Sequence, residues 1–505
     1  MLHSIRPVLF SNDITDSFPY WLRTAPLRAL NLGKNNLHGL VGPDPLELNF
    51  PHLYFLDIKM NNFAGSLPSK HFLQSNLTDI DLSINKFEGA LPILPPRVEM
   101  FVISSNRFTG EIPLLLCNST NLVKLDLSNN SLTGRIPQCL MDGSASVLDL
   151  DLSMNSFRGP VPETLSAPNN CNFTTIDLSQ NHLGGKLPRF WANCSKLEIL
   201  DLSNNELQDS FPSWLEVLPS LYILALRSNK FHGLVNTSGS PQPFSKLQIF
   251  DLSNNNFHGA FPIQYVASFK SMTSGDEKRG NFVHQARGNQ IFQSASVIGK
   301  GVTLELIKIQ KAFSIIDLSC NHFQGKIPDA IGDLKLLTGL NFSQNNLTGA
   351  IPYSFGNLTN LEWIDLSLNN LSGEIPGSLA DLTSLAYLNL SVNRLMGPIP
   401  KGKQFNTFKG DSFGGNPGLC GFPLPRECRE DANKPAPSTR AEEEDTEKGS
   451  WIEWQAVPMG YGCGTAFRLS AGYIMLHFRR PLWLMRMMER RIYKLQRRAR
   501  RTRGR

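Results

Sequence analysis

The sequence predicts an α/β-type repeat solenoid with a parallel sheet on its concave face, followed by one transmembrane helix near the carboxyl end. Three observations support this fold class. A leucine and asparagine pattern recurs along most of the chain, residues 456–478 form an apolar run, and a basic segment follows that run directly.

The repeat has the pattern LxLxxNxLxGxIP, in which we denote the position of the asparagine n. This asparagine recurs at a spacing of about 24 residues apart from one gap, and a period of this length indicates a solenoid. The fifteen positions are Asn12, Asn35, Asn61, Asn85, Asn106, Asn130, Asn155, Asn181, Asn205, Asn229, Asn255, Asn321, Asn345, Asn369 and Asn393. One unit forms a strand and a return arm, and its leucines become buried only when neighbouring units stack. We expect each asparagine amide to turn inward and bond backbone groups of adjacent coils.

The glycine at n+4 and the Ile-Pro after it complete the pattern, as in Gly134, Ile136 and Pro137. This consensus resembles the plant-type extracellular leucine-rich repeat. The layout of residues 8–495 resembles the carboxyl-terminal part of plant receptor-like proteins, the kinase-less, Cf/Ve-type immune receptors. The resemblance implies a curved leucine-rich-repeat horseshoe. The chain then divides into about eleven repeats in 1–262 with the first incomplete, an island insertion in 263–311, four repeats in 312–400, a carboxyl-terminal cap in 401–428, an acidic juxtamembrane linker in 429–455, a transmembrane helix in 456–478 and a basic cytoplasmic tail in 479–505.

The one gap in the spacing lies between Asn255 and Asn321, and it is nearly three times the repeat period. This interval therefore holds one repeat and an insertion almost as long as two more. The end of the insertion resembles the segment that closes the island domain of receptor-like proteins. A long loop inside a compact array is more often functional or disordered than idle. We therefore favour a ligand or partner role over a tolerated surface loop.

Six of the eight cysteines are expected to form disulfide bonds. The expected pairs are Cys117 with Cys139, Cys171 with Cys194, and Cys420 with Cys428. In each of the first two pairs the cysteines are almost one repeat period apart, which places them on neighbouring coils. The third pair would close a Pro-rich loop that resembles the family's carboxyl-terminal cap. Cys320 has no evident partner in the sequence, and we interpret it as a small space-filling residue.

All the N-glycosylation sequons precede the acidic linker, which favours an extracellular location for the repeats. We expect glycans at Asn76, Asn118, Asn129, Asn172, Asn193, Asn236, Asn346, Asn357 and Asn370. Two further sequons, at Asn341 and Asn389, lie at n−4 on strands of the concave face. A glycan there would obstruct binding, so we do not expect these two to be occupied.

Residues 456–478 are mostly apolar or small, and as a helix they would extend over about 34 Å, enough to cross a hydrocarbon core of roughly 30 Å. Residues 479–505 carry 12 basic groups and one acidic group, and this excess of positive charge predicts a cytoplasmic carboxyl end. Because the basic segment directly follows an apolar span, it favours contact with lipid headgroups over binding to nucleic acid. Gly460 and Gly464 form a GxxxG motif that favours helix pairing, and the resemblance implies a separate adaptor kinase as the partner. Arg468, near the centre of the span, either pairs with an acidic group of a partner or is a damaging substitution.

The chain begins within repeat sequence, with no signal-peptide pattern and no paired-cysteine amino-terminal cap before it. We therefore expect either a truncated gene model or a decayed copy of a longer receptor.

The resemblance implies a single-pass plasma-membrane receptor that binds an extracellular protein or peptide and signals through adaptor and co-receptor kinases, in plant defence. Trp363 and Tyr387 both lie at n−6, so we expect them to stack as neighbours on the concave face, exposed as anchors of an interface. Tyr222 and Arg227 are weaker candidates for contact with a ligand or partner. The alternatives are a developmental receptor for an endogenous peptide, a non-functional truncated copy, a soluble inhibitor of a secreted enzyme, and an enzyme. The membrane span argues against a soluble inhibitor. No nucleophile and base pair, phosphate-binding loop or metal-ligand set supports an enzyme, so we expect no cofactor.

Overall fold

The computed structural model describes residues 9–40, 52–67, 72, 75–141, 146–163, 171–273, 295–299, 302–306, 313–402 and 404–428. These residues belong to one compact unit, Met1–Glu430. The predicted linker, transmembrane helix and tail lie outside the described residues.

Fourteen short parallel strands form one sheet, which we call the long sheet, and each repeat adds one strand beside the strand of the preceding repeat. Core leucines at n−5 and n−3, such as Leu200 and Leu202, are fully buried beneath it. This topology confirms the predicted repeat solenoid with parallel strands. The strands are β1 (Ala29–Asn31), β3 (Phe55–Asp57), β5 (Asp79–Asp81), β7 (Met100–Val102), β9 (Lys124–Asp126), β11 (Asp149–Asp151), β13 (Thr175–Asp177), β15 (Ile199–Asp201), β17 (Ile223–Ala225), β19 (Ile249–Asp251), β23 (Ile315–Asp317), β25 (Gly339–Asn341), β27 (Trp363–Asp365) and β29 (Tyr387–Asn389).

The strand that follows each asparagine belongs to a second wall of parallel strands. This second wall consists of two sheets, one of eight strands and one of seven. The first part contains β2 (His38–Leu40), β4 (Asn62–Ser66), β6 (Lys86–Gly89), β8 (Arg107–Gly110), β10 (Ser131–Gly134), β12 (Ser156–Pro160), β14 (His182–Gly185) and β16 (Glu206–Leu207). The second contains β18 (His232–Leu234), β20 (Asn256–Ala260), β24 (His322–Lys326), β26 (Asn346–Gly349), β28 (Asn370–Gly373), β30 (Arg394–Pro398) and β31 (Gly418–Cys420).

The return arms contain 3-10 helices, so the α-helical part of the predicted α/β class is small in the described residues. Most of these helices start directly after a proline, as at Pro137 and Pro376, and each arm has room for only about one turn. The described ranges contain two α-helices, both single turns: α1 (Ile263–Val266) and α2 (Lys270–Thr273). The 3-10 helices are Tyr20–Thr24, Leu114–Asn118, Gln138–Leu140, Arg189–Asn193, Ser213–Val217, Asp329–Asp333, Tyr353–Asn357, Gly377–Asp381, Phe405–Thr407 and Gly410–Ser412.

The repeat asparagines form a continuous ladder of hydrogen bonds inside the solenoid. Asn369 shows the pattern: its Nδ2 donates to the carbonyl oxygens of Leu366 on its own coil at 3.3 Å and of Phe342 on the preceding coil at 2.9 Å. Its Oδ1 accepts the backbone N–H of Leu347 at 3.0 Å. Equivalent bonds run from Asn35 to Asn393, which confirms the predicted role of this residue.

Sequence analysis missed one member of the ladder, Asn416, which follows Asn393 by almost one repeat period. Its Nδ2 donates to the carbonyl oxygen of Leu390 at 3.0 Å, and its Oδ1 accepts the N–H of Leu395 at 3.0 Å. The buried Phe413 takes the place of the n−3 leucine. The segment predicted as the cap therefore continues the ladder by one coil.

The insertion after Asn255 leaves the solenoid continuous. Strand β19 pairs directly with β23, and Asn321 bonds the carbonyl oxygen of Leu252 at 2.9 Å across the insertion. Its Oδ1 also accepts the N–H of Phe257 at 3.0 Å. Within the insertion, β21 (Ala295–Gly299) and β22 (Val302–Leu306) pair in an antiparallel hairpin.

Candidate functional site on the outward face of the long sheet

The candidate site is the face of the long sheet that points away from the core, which we call the long-sheet face. Because side chains alternate along a strand, residues at n−6, n−4 and n−2 lie on this face while n−5 and n−3 lie in the core. In the repeat of Asn205 these positions are Ile199, Asp201 and Ser203. Since the strands are parallel and in register, each position forms a column across the sheet.

The n−4 column is acidic. It contains Asp57, Asp81, Asp126, Asp151, Asp177, Asp201, Asp251, Asp317 and Asp365, with Val102, Ala225, Asn341 and Asn389 at the remaining positions from β3 to β29. An ionised carboxylate only accepts hydrogen bonds, so neighbouring aspartates cannot bond each other. The n−2 serine supplies a donor instead: Ser253 Oγ donates to Asp251 Oδ1 at 2.6 Å, and its N–H donates to the same atom at 3.0 Å.

Burial and the neighbouring carboxylates change the acidity of this column. Burial and then Asp126 raise the pKa of Asp151 to about 7, and burial and then Asp251 raise the pKa of Asp317 to about 7. Burial raises the pKa of Asp201 to about 6, against the opposing effect of its hydrogen bonds. The charge of the long-sheet face therefore changes between mildly acidic and neutral pH.

An apolar cluster lies beside the acidic column over strands β15–β29. Its buried members are no more than 4% exposed, and the half-buried aromatics at its margin pack against them. The buried members are Ile199, Ile223, Ala225, Ile249, Ile315 and Trp363, and the marginal ones are Tyr222, Phe313 and Tyr387. The face thus combines an apolar stripe with a stripe of carboxyl groups.

Trp363 and Tyr387 are neighbours in register on β27 and β29, as predicted. The expectation that both are exposed is wrong for Trp363, which is 4% exposed. Its indole lies over Gly339 on the preceding strand, where an added Cβ would clash with the indole carbons Cε2 and Cζ2. Tyr387 is half-buried, and its hydroxyl donates to Asp365 Oδ2 at 3.3 Å. Burial and then the charge of Asp365 raise the pKa of Tyr387.

Tyr222 and Arg227 differ in their surroundings. Tyr222 is half-buried and packs against the isoleucines. Arg227, at n−2, is 6% exposed, so it is not an open surface residue. Its guanidinium interacts favourably with the carboxylates of Asp201 and Asp251 on the two flanking strands.

Comparisons with known proteins agree with this architecture. A leucine rich repeat family model matches residues 171–231, 312–371 and 343–395, and a second leucine rich repeat model matches residues 121–142. Receptor-like protein 34 of Arabidopsis thaliana is 42% identical over 507 residues, covering 94% of this chain and 51% of that protein. The chain belongs to the plant leucine-rich-repeat receptor-like proteins. A second member of this family, receptor-like protein 53 of the same plant, is 38% identical over 490 residues, covering 95% of this chain and 45% of that protein. The chain spans about half the length of these relatives.

Solved structures of plant receptors share the fold. The plant peptide hormone receptor RGFR1 in complex with RGF2 is 25% identical, with a TM-score of 0.60, over 82% of this chain and 66% of that chain. The Arabidopsis receptor kinase HAESA, in complex with the peptide hormone IDA and the co-receptor SERK1, is 23% identical, with a TM-score of 0.53, over 82% of this chain and 78% of that chain. The second likeness shows the fold alone.

Among the described residues of this receptor-like protein, three disulfide bonds form, and they are the pairs that the sequence predicts: Cys117 with Cys139, Cys171 with Cys194, and Cys420 with Cys428. Cys320 is free and half-buried. Among the sequon asparagines expected to carry glycans, Asn172 and Asn370 are half-buried and the other seven are exposed. Asn341 and Asn389 donate to Asp317 and Asp365 within the acidic column, at 3.1 Å and 3.0 Å.

The predicted membrane contacts, Gly460, Gly464 and Arg468, lie outside the described residues. In the part of the chain that the structure describes, no helix has the length and apolar character needed to cross a membrane. Within that same part, no three His, Cys, Asp or Glu side chains are arranged to hold a metal ion, the aspartate column included.

Proposed function

We propose that this chain is the ligand-recognition part of a single-pass plasma-membrane receptor, which binds an extracellular peptide or protein on the long-sheet face and signals through partner receptor kinases. The supporting relatives are receptor-like proteins. RGFR1, which shares the fold, is a peptide hormone receptor in complex with RGF2.

The observation that carries the proposal is the pairing of an apolar stripe with an acidic stripe along consecutive strands. An extended peptide laid across parallel strands would meet one position of each stripe at every coil, at intervals of roughly 4.8 Å. Apolar side chains of the ligand would contact the half-buried aromatics at the margin of the apolar cluster, which are Tyr222, Phe313 and Tyr387. Basic or hydrogen-bonding groups would meet the aspartates.

The test is a binding measurement with the full chain. Peptides selected from a displayed random library would be measured against the wild type and against Tyr387→Ala, which removes one of the three half-buried aromatics of the face. We expect a loss of about tenfold, as for a typical interface anchor. The matched control is Met396→Ala, which removes an exposed side chain from β30 in the second wall. Peptides that bind Tyr387→Ala normally but lose affinity for Met396→Ala would place the site on the other wall.

We also propose that a separate adaptor kinase pairs with the predicted transmembrane helix through Gly460 and Gly464. Bulky side chains at these positions would keep two helix backbones apart. We expect Gly460→Leu and Gly464→Leu to reduce recovery of the kinase in a co-purification from plant membranes. Gly462→Leu is the matched control, because two residues along a helix it lies on a different face. Equal recovery with all three variants would exclude this helix contact.

For the biological role we propose plant defence, on the resemblance to immune receptors of the Cf/Ve type. To distinguish a role in defence from a role in development, ligands would be captured from pathogen culture filtrate and from the plant's own extracellular fluid. Recovery of a ligand from the plant's own fluid alone would support the developmental alternative.

A further inference from the structure

A groove lies on the outward face of the second wall, over strands β20, β24 and β26. In these strands the residues at n+1 and n+3 point outward, whereas the residue at n+2, such as Phe323, is buried. The groove has a volume of about 740 Å³. Six of the residues that line it are exposed, so the groove is open to solvent. They are His258, His322, Gln324, Gln344, Asn346 and Leu368.

The lining of this groove is polar and contains no Asp, Glu, Lys or Arg. At pH 7, where the histidines are neutral, an anion or a cation therefore meets no opposite charge in the groove. The amides and imidazoles of the lining both donate and accept hydrogen bonds, and so does each hydroxyl group of a sugar. The groove therefore suits an uncharged carbohydrate.

An attachment site for a carbohydrate lies within the groove itself. Asn346 begins a sequon, and it lies in register with Gln324 on the preceding strand. On its other side, Asn370 Nδ2 donates to Asn346 Oδ1 at 2.7 Å, so the amide oxygen of Asn346 faces β28. The amide nitrogen, which is the atom that carries an N-linked glycan, then faces β24 and the groove.

We propose that the glycan attached to Asn346 lies in this groove, where Gln324, His322 and His258 hold it by hydrogen bonds. Gln324 lies directly opposite the attachment site. His322 is on the same strand and is in register with His258 on β20, so these two residues continue the path that begins at Gln324. A glycan held there covers this part of the second wall. The inference rests on the predicted glycosylation of Asn346 and is independent of the proposed ligand site on the long-sheet face.

Enzymatic release of glycans from the folded full chain, produced in plant cells, tests the proposal. Glycopeptide mass spectrometry establishes whether Asn346 carries a glycan and then follows its release by a peptide N-glycosidase. The internal control is Asn357, an exposed sequon asparagine at the end of the 3-10 helix Tyr353–Asn357 and outside the groove. We expect release from Asn346 to be about tenfold slower than from Asn357, as one or two net hydrogen bonds to the groove would give. After denaturation the two rates should be equal.

Two matched variants separate the effect of the groove from crowding around the attachment site. Gln324→Ala removes the amide opposite Asn346, and Gln208→Ala removes an exposed glutamine at the same n+3 position three repeats earlier. We expect Gln324→Ala to speed release from Asn346 about threefold, as the loss of one hydrogen bond would, and Gln208→Ala to leave the rate unchanged. Equal release from Asn346 and Asn357 in the folded wild type, equal rates in the two variants, or an Asn346 without a glycan would each overturn the proposal.

Discussion

Two ladders of polar side chains run along the solenoid, four residues apart in most repeats, and they differ in how their hydrogen-bonding groups are satisfied. The asparagines at n lie inside, and each amide donates and accepts between neighbouring coils, as Asn205 does with Leu178 and Leu183. The aspartates at n−4 lie on the long-sheet face, and most of these carboxylates accept hydrogen bonds from the serine two residues later, as Asp317 does from Ser319.

The comparison shows which polar groups can be repeated along a stacked array with little loss of stability. A primary amide carries donors and an acceptor, so identical copies bond the backbone on both sides without building up charge. A carboxylate only accepts, and like charges opposite each other in a sheet are destabilising. The aspartate column therefore becomes more stable when protons neutralise it, whereas the asparagine ladder is independent of pH.

The largest expected effect is a loss of stability as pH rises. The pKa of Asp317 is raised from 3.8 to about 7, so the folded chain holds this proton more tightly than the unfolded chain does. The stabilisation is fully present below about pH 4 and is lost as pH rises through about 7. For a well-buried carboxyl such as Asp317 it amounts to roughly 4 kcal/mol. Urea unfolding of the full chain between pH 4 and pH 8 measures it.

Asp317→Asn isolates this contribution from other titrating groups. Asparagine already occupies n−4 at Asn341 and Asn389, so the column accepts it. We expect the variant to have a higher free energy of unfolding than the wild type at pH 8, with the difference shrinking toward pH 4. A difference that stays constant with pH would show that the carboxyl groups of the column do not titrate in this range.

A smaller loss is expected when the asparagine ladder is broken. Asn369→Leu removes the bonds to Phe342, Leu366 and Leu347 and leaves these backbone groups buried without partners. We expect the free energy of unfolding to fall by about 1–3 kcal/mol, by the same amount at pH 4 and pH 8. The control is Asn12→Leu, because Asn12 donates only to exposed carbonyls of its own coil. A pH-dependent loss, or an equal loss in the control, would contradict the distinction between the two ladders.

The inside ladder was predictable from the sequence and much of the outward face was not. The asparagines recur with one period, so their common role follows from the pattern. Asn416 was missed because its unit has Asp411 at n−5 and Cys420 at n+4, where the pattern has a leucine and a glycine. Burial on the face depends on the neighbouring repeat. Trp363 is covered because Gly339 lies opposite it, and that pairing becomes visible only once the register is known. Likewise, Arg227 was expected on the concave face as an interface residue, but its burial between Asp201 and Asp251 could not be foreseen from one strand.

The smallest expected effect concerns backbone strain at n−1, the residue directly before each asparagine of the ladder. In the described repeats the residue at n−1 adopts a left-handed backbone, and Val392 does so with φ of 54° although its side chain is branched at Cβ. Asparagine tolerates this conformation better than valine, so we expect Val392→Asn to raise the free energy of unfolding by about 1 kcal/mol. The mirror variant is Asn204→Val, at φ of 55°, which should lower it by a similar amount. Urea unfolding measures both. If Val392→Asn lowers the stability instead, contacts of the half-exposed Val392 side chain outweigh the backbone strain at that position.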